Sequence, residues 1–231
     1  MNYLEGRVET AVLACETIRC ELMRAMEDTG STYPIYWLNS GLHNTPNVLR
    51  SRLSETIAEA ESDGFDRLLA AMGFCGNSFT EVATGHIELI LPRVDDCITL
   101  LLGSIQRRCK LSETDAAYFL THGWMRGERN IWVEHQHLVS KYGKDVANDI
   151  AEMMFGHYRT LILLDSNTEP IEPLIESTKI IAETLHLEQK VVPATRDYLA
   201  ALLRGPWDNE RFVVVSPGSI ITANDLTLSK T

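Results

Sequence analysis

Several things are scarce in this chain, and each absence excludes something. Basic residues are outnumbered, 21 Lys and Arg against 32 Asp and Glu, for a formal net charge of −11. They are not clustered either, so no general nucleic-acid surface is expected, because phosphate binding draws on grouped cations. Long apolar runs are missing. The most apolar stretches, "ITLLLGSI" and "TLILLD", fall well short of the ~20 residues that cross a bilayer. The opening "MNYLEGRVETAVLAC" carries acids before its apolar run and lacks the basic front of a secretory signal. The expectation is a cytoplasmic protein with no membrane partner, a monomer or small homo-oligomer. Cysteines number five in 231 residues, with no CxxC pair, which excludes a disulfide framework and the commonest zinc spacing. There is no GxGxxG fingerprint, no P-loop lysine and no serine elbow.

What is present is a core-forming composition, 45% hydrophobic and 23% charged, enough for one compact domain or two small lobes. Short apolar runs alternate with helical patterns. "TAVLAC", "TYPIYWL", "FDRLLAAMG" and "IELILPR" read as strands in the first half, and "AAYFLTHGW", "YRTLILLDS", "QKVVPA" and "RFVVVSPG" in the second. Helices are expected after Cys15, over "NTPNVLRSRLSETIAEAE" with Pro46 in the first turn, and over "DDCITLLLGSIQRR". Further helices fall over about 130–155 with a break near Gly143, and over "IEPLIESTKIIAETLHL" and "TRDYLAALLRG". Unbroken apolar strands between helices predict an α/β fold with a mostly parallel sheet covered on both faces, or two Rossmann-like lobes. The reading is one α/β domain over residues 1–221, a possible lobe boundary at 123–129, and a loose polar tail at 222–231.

In such sheets ligands bind outside the carboxyl ends of the strands. Those ends carry Cys15; His43 in "NSGLHNTP"; Cys75 in "GFCGNS"; Arg93, Asp95, Asp96 and Cys97 in "PRVDDC"; His122 and Trp124 in "THGW"; and Asp165 in "LDSN". Cys75 sits in a glycine turn at the end of an apolar run, a setting for binding or reaction more than for packing. Cys15, Cys75 and Cys97 with His43 make a candidate ligand set for zinc or for a 4Fe-4S cluster. Ordinary buried strand-end cysteines are the plainer alternative. Gly73, Gly76 and Asn77 would bring backbone amides to the Cys75 sulfur. Arg93 is a candidate for a substrate anion. Asp95 and Asp96 are candidate proton carriers, or simply helix-start acids. Cys20 and Cys109 look like packing or surface residues. In "GERNIWVEHQH", Glu134, His135 and His137 lack the HExxH spacing and read as a solvated helix face.

The segments "WLNSGLHNTPNVLRSRL", "GFCGNS", "LPRVDDCITLLLGS", "YFLTHGW", "KYGKDVANDIAEMMFGHY", "LILLDS" and "VVVSPG" follow in an order that resembles the family catalogued as domain of unknown function 1638, over about residues 8–218. The resemblance implies an α/β fold, and cysteines at the positions of Cys15, Cys75 and Cys97 with a histidine at that of His43. The family often has glycine where this chain has Glu16, so a carboxylate stands beside the first cysteine here. The resemblance also implies an association with corrinoid-dependent methyl-transfer proteins. Two functions are therefore expected. One is a metal- or cluster-dependent enzyme acting on a small metabolite in one-carbon, methyl-transfer or sulfur chemistry, with the metal as Lewis acid. The other is a non-catalytic metal-binding or accessory protein for a corrinoid methyltransferase partner. Whether Glu16 or His122 joins the site is left open by the sequence.

Overall fold

A computed structural model describes residues 8–113, 116–127 and 129–228; the side chains of His43 and Asn44 lie outside the described set. In chain order the first half contains β1 (Thr10–Cys15), α1 (Arg19–Thr29), β2 (Ile35–Leu38), α2 (Pro46–Ser62), β3 (Arg67–Ala71), β4 (Glu88–Pro92), α3 (Cys97–Leu102) and α4 (Ile105–Leu111). The second half contains β5 (Ala117–Leu120), α5 (His122–Arg126), α6 (Ile131–Tyr142), α7 (Lys144–Phe155), β6 (Thr160–Asp165), α8 (Glu172–Thr184), β7 (Glu188–Pro193), α9 (Asp197–Arg204) and β8 (Phe212–Val215). The fold is α/β, as the alternation of runs implies. Among the described residues no helix is long and apolar enough to cross a membrane.

The strands form two sheets. The first has the order β2-β1-β3-β4-β8 and the second β5-β6-β7. All pairings are parallel except β4 with β8, where Leu91 faces Val213 in an antiparallel edge. The chain passes from the first sheet to the second between β4 and β5, ahead of the boundary expected at 123–129.

Successive residues of a strand point to opposite faces, and β1 shows the result. Val12 and Ala14 pack with Ile18, with Leu22 of α1 and with Leu199 and Leu202 of α9. Ala11, Leu13 and Cys15 pack with Leu49, Leu53 and Ile57 of α2. The core containing Val12 and Ala14 also takes in Phe119 of β5 and Ile162 and Leu164 of β6. The two sheets therefore share one apolar layer. The far face of the second sheet is covered by Ile131, Ala151, Leu174 and Ile181 from α6, α7 and α8.

Breaks fall where backbone chemistry demands them. The helix expected over Asp95–Arg108 is split at Gly103, whose φ of 82° ends α3, and Ser104 accepts from Arg107 N to start α4. Gly143, also at φ 82°, divides α6 from α7. The run "AAYFLTHGW" is a strand only to Leu120. Thr121 accepts from Trp124 N at 3.1 Å and caps a short helix, which turns His122–Arg126 back toward the first sheet. The tail, expected to be loose, is fastened as far as it is described: Leu226 is buried, and Arg93 Nη1 donates to the carbonyls of Asp225 and Thr227.

Candidate functional site

The carboxyl ends of β1, β3 and β4 are drawn together by close backbone contact. Gly73, just past β3, lies on the backbone of Asp96, so that a Cβ there would stand 2.5 Å from Asp96 Cα. This contact lets Phe74 N donate to Val94 O at 2.9 Å and Cys75 N to Asp95 O at 2.8 Å. The "GFCGN" loop is thus zipped to the segment leading into α3. Cys75, Gly76 and Asn77 then run through three successive positive φ angles, 46°, 66° and 64°. Left-handed backbone costs a residue with a Cβ ~1–2 kcal/mol. Paying it at Cys75 is a sign of a fixed role for that thiol's position. On the other side of the contact, Asp96 Oδ1 accepts from Thr99 N at 2.9 Å. That cap starts α3, whose first residue is Cys97.

Two of the three strand-end thiols meet around one hydroxyl. Thr17 Oγ1, fully buried, stands 3.0 Å from Cys15 Sγ and 3.8 Å from Cys97 Sγ. These two sulfurs are no farther apart than those two distances laid end to end. Burial raises the Cys15 thiol pKa, with the Thr17 hydroxyl partly offsetting it. Burial likewise raises Cys97, and the neighbouring Cys15 and Asp96 add to it. Cys75 is pushed well above the ordinary thiol value, first by burial and then by the nearness of Cys97 and Cys15. The backbone keeps Cys75 in the same locality, because its amide donates to Asp95 O, two residues before Cys97. Trp124 of α5 acts on Cys97 as a hydrogen-bonding side chain that favours the thiolate. Thr17 and Trp124 complete the surroundings. Thr17 carries no motif that could have marked it, whereas Trp124 was visible as a strand-end residue.

The other predicted residues separate from the thiols. Arg93 is engaged away from the thiols: its Nε donates to the carbonyls of Asn209 and Phe212, and its Nη1 to those of Asp225 and Thr227. Asp95 and Asp96 are both held by Arg108 Nη1, at 2.9 and 2.6 Å. Asp96 also caps α3, so both acids take part in the loop's architecture. Gly76 and Asn77 are exposed on the turn. The side chain of His43 falls outside the described residues. His135 is buried, stacks on Trp132 and meets Asn148 Oδ1 at 2.9 Å, so it joins α6 to α7. Cys109 is exposed.

A second polar group lies across α1 from the thiols. Glu21 is 2% exposed and accepts from Ser166 Oγ at 2.8 Å. Burial raises its pKa, with Ser166 opposing, Glu169 adding and His122 lowering it. His122 Nε2 is buried without a partner among the described residues. Cys20, which looked like a packing residue, donates to Glu169 Oε1 at 2.9 Å and lies 3.4 Å from Arg126 Nη1. Arg126 in turn pairs with Glu169. His122 belongs to this group of acids, on the second sheet's edge.

Three thiols suit zinc or iron as donors. Among the described residues, however, no three His, Cys, Asp or Glu side chains stand in a ligating arrangement. A metal would need the sulfurs turned toward a common centre, and a multiply charged cation to draw off protons that burial holds in place. Residues 37–203 match the model of a family described as a protein of unknown function (DUF1638). The match includes Cys75 and Cys97 and leaves Cys15 and β8 outside. No curated protein and no solved structure matches the chain.

Proposed function

The chain belongs to the DUF1638 family, and we propose that Cys15, Cys75 and Cys97 hold a metal centre, zinc or a 4Fe-4S cluster, in an enzyme acting on a small metabolite. The observation that carries the reading is convergence. Cys15 and Cys97 both reach the Thr17 hydroxyl, and the Cys75 amide is tied to Asp95, two residues before Cys97. Packing alone does not call for a cysteine at positive φ in a glycine turn. When bound, the metal supplies Lewis acidity to a substrate atom. The chain's own residues exclude water from two of the sulfurs, and Trp124 and Thr17 supply hydrogen bonds that ease loss of their protons. An open cleft beside the thiols favours turnover. Methyl-transfer or sulfur chemistry fits thiolate-bound metals, and five cysteines with no CxxC pair fit a cytoplasmic setting.

A second reading, an accessory protein for a corrinoid methyltransferase, is favoured by one feature. The α6–α7 hairpin exposes Tyr142, Val146, Met153 and Met154, with Met153 at 86%, an apolar face of the kind that meets partners. Metal analysis and a visible spectrum of protein purified without oxygen test the shared premise. Brown colour with iron and sulfide, or about one zinc per chain, is the expected result; protein with neither refutes the metal centre.

A further inference from the structure

Beside the thiols a cleft of about 180 Å³ opens between the connections that leave the two sheets. Its floor exists because two positions carry no side chain. A Cβ on Gly123 would stand 1.9 Å from Thr17 O, and one on Gly127 would stand 3.1 Å from Ser40 Oγ. Its walls carry Glu16, Arg19, Cys20, Ser40 and Arg126. The cleft is therefore a direct neighbour of the thiol group: Glu16 follows Cys15, and Gly123 rests on the residue whose hydroxyl reaches Cys15 and Cys97.

The wall chemistry is lopsided. Two guanidiniums and one carboxylate line the cleft, one formal positive charge in excess. Each arginine is engaged by part of its fork. Arg19 lies over the Trp37 ring, 3.8 Å from the centroid, and gives Nη2 to Glu16 at 3.1 Å. Arg126 gives its two Nη atoms to Cys20 and Glu169. Glu169 balances Arg126 from outside the cleft's lining. Among the described residues, Arg19 Nε and Nη1 and Arg126 Nε have no acceptor. The Ser40 hydroxyl, on a residue 7% exposed, has no partner among them either. Pre-oriented, unspent N–H groups on two arginines, with a hydroxyl and a glycine floor, form a receptor for a carboxylate.

We propose that this cleft binds a small organic monoanion through its carboxylate, held by Arg19 and Arg126. The modest size of the cleft suits a short-chain acid. This names a substrate class for the enzyme proposed above, but the binding itself does not need the metal.

The test uses the protein as purified without oxygen, at neutral pH and low salt. Saturation-transfer NMR is recorded with propionate and glycolate, and with propionamide and inorganic phosphate for comparison. The acids are expected to bind, and propionamide at least tenfold more weakly. Arg19→Gln and Arg126→Gln should each lower affinity at least tenfold, while Arg24→Gln, on α1 outside the cleft, should leave it unchanged. Arg126→Lys keeps the charge and loses the planar fork, so it should bind several-fold more weakly and covers the case in which the Gln variant fails to fold. Absence of carboxylate binding, equal binding of the amide, preference for phosphate, or full affinity in folded Arg19→Gln and Arg126→Lys proteins overturns the proposal. Metal content, measured separately, decides the metal centre, so each reading can fail alone.

Discussion

Gly73 and Asp96 touch through their backbones, and no side chain at position 73 is compatible with that contact. The approach aligns the two amides that tie the Cys75 loop to the start of α3.

Gly73→Ala must separate the two segments. It is expected to destabilise the protein by about 1–3 kcal/mol, the range for overpacking a close contact. It should also lower any metal content, because Cys75 and Cys97 ride on the two segments it pushes apart. Urea unfolding with metal analysis reads both effects. A variant of wild-type stability would show that the contact is not rigid.

Cys75→Ser and Cys97→Ser should each remove most of the metal from protein purified without oxygen, since a serine hydroxyl is a poor ligand at neutral pH. Cys109→Ser, at an exposed site, should retain it. Full metal content in the Cys75 variant would eliminate the centre.

Glu21 gives a pH prediction. Its folded pKa is raised from 4.5, mainly by burial, so the folded state holds its proton more tightly than the unfolded chain. The group's contribution is fully present below about pH 4.5 and is lost as pH rises through the folded value. Glu21→Gln should therefore flatten the stability profile above pH 4.5 and become relatively more stable than wild type toward neutral pH. A pH profile identical to wild type would contradict the assignment.

The two acids of "VDDC" should differ although they share Arg108. Asp96→Ala removes the α3 cap and should cost about 0.5–2 kcal/mol. Asp95→Ala removes only a partly exposed ion pair and should cost less. Thermal unfolding of the two variants side by side checks the order.

The arrangement of chemistry was legible in the sequence to different depths. Cys15, Cys75 and Cys97 could be grouped because strand ends of a parallel sheet lie on one edge, a rule that needs only strand positions. The partners of Arg93 were not legible, because they are Phe212 and the tail, more than a hundred residues away, and no local pattern reports that pairing. The division into two sheets was left as an alternative for the same reason: apolar runs identify strands but not their partners. The cleft was hidden because it depends on Gly123 and Gly127 meeting Thr17 and Ser40 across the fold. Cys20 was set aside on its helical position alone, while its partners Arg126 and Glu169 come from the other sheet.

The pairing of β8 with β4 has a consequence for how the chain is made. The second sheet is built from residues 117–193, all synthesised after β4 and before β8. On the ribosome it can therefore assemble while the first sheet still has a bare edge at Glu88–Pro92. That edge is an invitation to foreign strands until Phe212–Val215 emerges to close it. The last strand of the protein completes the first layer it began, so a nascent chain stalled before residue 212 exposes its aggregation risk at a strand made more than a hundred residues earlier.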